Sequence, residues 1–80
     1  MRPYRHKNMP KVVGHPLVGR LVREMMRVGM SENEMSKQAG VSREALNAWR
    51  LRTNPKITDL EACFNVLGYT LEPVRRKDDV

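Results

Sequence analysis

The chain has 80 residues, with 15 Lys and Arg against 9 Asp and Glu, for a net charge of +6. That length fits one small domain, near the lower limit for a self-sufficient core, and the pI of about 10.1 favours a polyanionic partner. The single cysteine, Cys63, excludes an intrachain disulfide and a cysteine-based zinc site, and no apolar run is long enough to span a bilayer.

Residues 1–14 carry Arg2, Arg5, Lys7 and Lys11 and no acid, mixed with Pro3, Pro10 and Gly14. They show no periodicity and read as a basic flexible arm. Pro16 suits the first turn of a helix, where its missing N–H is unpaired anyway. Leu17, Val18, Leu21, Val22, Met25 and Val28 then form an apolar stripe at helical spacing, with Arg20, Arg23 and Arg27 mostly on the other side. Gly29 ends this helix.

The segment from Met30 to Trp49 is the most informative. Ser31 and Glu34 fit a capping box that opens a second helix. Met35 and Ala39 share one face of it. Gly40 supplies the positive φ of a helix end. Val41 packs the turn inward, and Ser42 caps a third helix whose stripe is Leu46 and Trp49. Two short helices joined by a tight turn are the layout of a helix-turn-helix, whose second helix enters the DNA major groove.

Arg50, Arg52 and the Asn54-Pro55 pair end the reading helix, because the residue before a proline is pushed out of the α region. Thr58 and Glu61 read as a second capping box. Leu60, Cys63, Phe64 and Leu67 fall at i, i+3, i+4 and i+7, and Gly68 stops that helix. Cys63 reads as a buried, inert thiol. Tyr69 to Val74 alternates partially, which is one reading for a short C-terminal strand; Pro73 confines it to an edge. The expected organisation is a basic arm over 1–14, a helix-turn-helix domain over 15–74 and a charged tail over 75–80. The expected fold class is all-α, a small helical bundle.

The first residues of the reading helix face base edges in this geometry. Arg43, Glu44, Asn47 and Ala48 lie opposite Leu46 and Trp49. Arg43 suits guanine O6 and N7, Asn47 suits adenine N6 and N7, Glu44 accepts from cytosine N4, and Ala48 touches a thymine methyl. Phosphate clamping falls to Arg50, Arg52 and Lys56 after the reading helix, to Lys37 and Asn33 on the helix before it, and secondarily to Ser42, whose first role is the cap. The basic arm has two readings of equal weight, a minor-groove contact or a plain tail.

At these residues the chain resembles the Cro/lambda-repressor-like (XRE-type) helix-turn-helix proteins. The resemblance extends from about Leu17 to about Leu71. It rests on Gly29-Met30-Ser31, Ala39-Gly40-Val41-Ser42, Leu46, Trp49, Asn54-Pro55 and Leu67-Gly68. It implies a lambda-repressor-like fold and carries the base-reading role onto the same positions. Two residues depart from it. Relatives usually carry Gln at the position of Glu32, touching the DNA backbone or bracing the reading helix, and Ala at the position of Ser36, where the two helices cross. A glutamate there would repel phosphate.

His6 and His15 have no partners at metal-ligand spacing, and no nucleophile–base arrangement, glycine-rich phosphate loop or acid pair is present. No enzyme activity, cofactor or metal is expected. The function expected is a sequence-specific transcriptional regulator, most simply a repressor that binds double-stranded DNA as a homodimer on a palindromic operator. The alternative is an antitoxin, in which the same fold neutralises a partner protein. A weaker third reading is a phage or nucleoid accessory protein of low sequence preference. Each of these places a soluble protein in the cytoplasm, at the nucleoid.

Overall fold

The computed structural model describes residues 10–77. Residues 1–9, which hold most of the expected arm and His6, and residues 78–80 of the expected tail lie outside the described residues. Four helices follow in order among those described: α1 (Pro16–Val28), α2 (Glu32–Ala39), α3 (Arg43–Leu51) and α4 (Ile57–Val66). No strand occurs among the described residues, so the all-α class holds and Tyr69 to Val74 runs without sheet pairing.

The helix limits follow from local chemistry. Pro16 sits in the first turn of α1, and the His15 ring Nδ1 accepts the Leu17 N–H at 3.0 Å. Gly29 closes α1 at φ 75°, with its own N–H on Met26 O and the Met30 N–H on Met25 O. That pair of bonds is a Schellman motif, and it satisfies carbonyls that a helix end leaves without partners. The Ser31–Glu34 capping box forms in both directions: Ser31 Oγ accepts the Glu34 N–H at 3.1 Å, and Glu34 Oε1 accepts the Ser31 N–H at 3.0 Å. Gly68 repeats the Schellman pattern after α4, and Tyr69 then lays its ring edge-on to Phe64, centroids 5.9 Å apart. That ring contact joins the positions at which the motif usually makes its apolar contact.

The start of α4 corrects one expectation. Lys56, not Thr58, is the N-cap, and no side chain caps this helix. Lys56 is already extended at φ −68°, ψ 145°, and its carbonyl accepts the Leu60 N–H at 3.0 Å to close the first turn. Starting at Ile57 places Asp59 in the first turn, where the helix dipole favours a negative charge.

The core gathers most of the expected stripes, but Val28, expected in the α1 stripe, is exposed at the end of that helix. Val18, Leu21 and Met25 of α1, Met35 of α2, Val41 of the turn, Leu46 and Trp49 of α3, and Leu60, Cys63 and Phe64 of α4 are all buried. Helix α2 packs on both α3 and α4, and α1 packs on α3. One charged residue joins them. The buried Glu24 accepts from Arg27 Nε at 2.9 Å, from the Tyr69 hydroxyl at 3.0 Å and from Arg20 Nε at 3.2 Å. Three donors satisfy the carboxylate, which keeps its burial affordable.

Residues 10–14 run beside α3. Val13 donates its N–H to Arg50 O at 2.8 Å, and Val12 packs against the core. Gly14 passes so close to α3 that a Cβ there would stand 2.7 Å from the Trp49 carbonyl oxygen.

Candidate nucleic-acid interface

Helices α2 and α3 and the turn Gly40-Val41-Ser42 build one face of the molecule. Gly40 takes φ 74°, which an L side chain rarely adopts, and its N–H bonds Ser36 O at 2.9 Å. The chain then reverses and buries Val41. Ser42 Oγ accepts the Ala45 N–H at 3.0 Å, so the expected cap forms. With Leu46 and Trp49 fixed in the core, the register of α3 leaves Arg43, Glu44 and Asn47 exposed and Ala48 half-buried.

Between the first turns of α2 and α3 lies an open groove of about 500 Å³, lined by Glu32, Ser36, Ser42, Arg43, Glu44 and Asn47. Three of the four expected base-reading side chains therefore meet in one place, with Ser42 beside them. Asn33, Lys37, Arg52 and Lys56 are exposed but do not line this groove.

Arg50 stands apart from the other basic residues. Its side chain is 17% exposed, and its guanidinium is engaged within the domain. Nε lies 3.5 Å from Glu32 Oε2, Nη1 donates to the Lys11 carbonyl at 3.3 Å, and Nη2 donates to Asn47 Oδ1. The Glu32 carboxylate thus faces a cation across the α2–α3 junction. Sequence reasoning singled out both residues but not their pairing. The only sign of it was that Glu32 departs from the glutamine usual in similar proteins.

The helix-turn-helix family model matches residues 20–74, most of the chain. The chain belongs to the XRE-type helix-turn-helix family. No curated protein and no solved structure matched it. Members of this family are DNA-binding regulators of transcription, so the protein is a DNA-binding helix-turn-helix regulator, and α3 is the second helix of its motif. The family is not one of enzymes. Among the described residues no group of His, Cys, Asp or Glu is placed to hold a metal ion, and no helix is long and apolar enough to cross a membrane.

Proposed function

We propose that this helix-turn-helix protein is a sequence-specific transcriptional repressor that occupies a palindromic operator as a homodimer. The observation that carries the reading is the polar groove at the start of α3, where Arg43, Glu44 and Asn47 converge beside Ser42. Their chemistries differ, and that mixture suits discrimination among base edges better than uniform attraction to phosphate. Arg43, Glu44, Asn47 and Ala48 carry base reading. Arg52 and Lys56 after α3, and Lys37 and Asn33 on α2, carry backbone contacts, with Ser42 within reach of phosphate.

One reading helix covers few base pairs, so selectivity calls for a two-fold pair with half-sites about one helical turn apart. Ile57 and Val74 are exposed apolar side chains that such a pairing would have available to bury. An antitoxin role instead calls for a different protein on the same apolar side chains, and co-purification of such a partner from the native host would favour it.

Selection of bound duplexes from a random DNA pool tests the proposal. The expected result is one palindromic consensus. A pool that stays random after enrichment overturns it.

A further inference from the structure

Helices α2 and α3 together carry three cations, Lys37, Arg43 and Arg50, and three anions, Glu32, Glu34 and Glu44. The motif itself therefore has no net charge, and attraction to a polyanion has to come from residues outside it. Arg50 is also turned inward, with its side chain 17% exposed and the Glu32 carboxylate 3.5 Å from Nε. Turning it out to phosphate would leave that carboxylate unpaired beside the DNA. Residues 10–14 bring another cation to the same place. Val13 donates its N–H to Arg50 O at 2.8 Å, Val12 packs against the core, and a Cβ on Gly14 would stand 2.7 Å from the Trp49 carbonyl oxygen. Arg50 Nη1 donates to the Lys11 carbonyl at 3.3 Å, while Nη2 donates to Asn47 Oδ1. One guanidinium thus separates the Lys11 backbone from Asn47, which lines the groove at the start of α3. Lys11 is exposed, and no acid among the described residues pairs with its ammonium.

We infer that Lys11 is a further phosphate-binding residue, which the strap of residues 10–14 holds against α3 at the edge of the DNA groove, in the role expected from sequence for Arg50. The inference rests on α3 entering the major groove as proposed above. That groove is about 12 Å wide, so a backbone one guanidinium away from a base-reading side chain lies against the groove wall, where the phosphates are. A lysine suits the position because it acts as a point charge on a flexible stem and needs no fork geometry. Its contact positions the protein without reading bases.

The test is the salt dependence of binding by the full chain to two duplexes of unrelated sequence, since the contact needs no consensus. Lys11→Ala should reduce the slope of log K against log salt by roughly one for each protomer on the DNA, equally on both duplexes. Gly14→Ala changes no charge but displaces the strap, so it should reduce the slope in the same direction. Adding Lys11→Ala to Gly14→Ala should then cost less slope than Lys11→Ala costs alone. Arg23→Ala removes a cation from the exposed face of α1 and should move the slope far less. A slope unmoved in Lys11→Ala or in Gly14→Ala overturns the inference, as does a fully additive loss in the double variant or an equal loss in Arg23→Ala. If circular dichroism shows that Gly14→Ala does not fold, the comparison of Lys11→Ala with Arg23→Ala decides. A steep slope that Lys11→Ala leaves unmoved removes this inference alone. A slope near zero in the unaltered protein removes the phosphate contacts proposed above together with it.

Discussion

Tyr69 donates its hydroxyl to Glu24 across 45 residues of sequence, and the 3.0 Å bond ties the chain after α4 to the middle of α1. Arg20 adds to the tie, with its guanidinium carbon 5.6 Å from the Tyr69 ring centroid. Arg27 first, and then Tyr69, hold the Glu24 carboxyl below the usual carboxylate range by hydrogen bonding to its charged form. A lowered folded-state pKa contributes stability above the ordinary glutamate pKa, and that contribution is lost as pH falls through the depressed value. Tyr69→Phe should therefore lower the Tm at neutral pH. The gap to the unaltered protein should narrow in the acid range, as Glu24 becomes protonated. Thermal melts from pH 7 to pH 3 measure both effects, and a constant gap would show that Tyr69 acts through packing alone.

The close pass of Gly14 over α3 gives a second expectation. A methyl at residue 14 would meet the Trp49 carbonyl at 2.7 Å, and backbone on both sides leaves little room to yield. Gly14→Ala should displace residues 10–14 and break the bond from Val13 to Arg50 O. The cost should be about 1–3 kcal/mol, as for other overpacked sites. Amide exchange at Val13 should accelerate in the variant, while exchange in α4 should change only with global stability.

Cys63 is fully buried, and desolvation, followed by the charge of Asp59, pushes its thiol up to about 11. The thiolate is the reactive species. Alkylation at pH 8 should therefore be slow in the native protein and become fast with unfolding. The raised value also makes this contribution to stability complete below the unfolded thiol pKa and lost as pH rises toward 11. Labelling across a denaturant titration should track the unfolding transition. Labelling that runs to completion without denaturant would contradict the burial.

Reading and clamping should separate in binding assays. Arg52→Ala removes a positive charge from the chain just after α3, and it should weaken all duplexes nearly equally while reducing the salt slope by about 1. Asn47→Ala should cost about 1–3 kcal/mol at one base pair and leave the slope unchanged. With Lys37, Arg52 and Lys56 each neutralising a phosphate in both halves of a dimer, log K against log salt should fall with a slope of roughly −5 for the unaltered protein from these three residues alone.

The sequence made the fold legible where the rules are local. Gly29, Gly40 and Gly68 end segments at positive φ, and Ser31 and Ser42 cap helices as their spacing predicts. Leu46, Trp49, Leu60, Cys63 and Phe64 are buried because a 3.6-residue stripe has only one way to face the core. Thr58 and Glu61 satisfy the capping-box pattern and so point to a start two residues late, whereas the chain leaving Pro55 already enters α4 at Ile57 without a side-chain cap. The three residues whose chemistry meets in the groove were readable from the register of α3 alone. The Glu32–Arg50 pair, the bond from Val13 to Arg50 and the Tyr69–Glu24 bond were not, since each joins different segments through tertiary packing. The Arg20–Glu24–Arg27 spacing did lie on one helix face, and i, i+3 and i, i+4 pairs of opposite charge are a readable signal.

If the α3 groove recognises a particular DNA sequence, affinity must depend on base order and not only on base composition. The most direct measurement is the ratio of affinities for the selected duplex and a shuffled duplex of the same composition, taken at one fixed physiological salt concentration. A ratio of about 10³ or more is expected, falling steeply when Arg43 or Asn47 is replaced by alanine. A ratio near one, with tight binding to both duplexes, would contradict it and leave a DNA-binding protein that responds to phosphate alone.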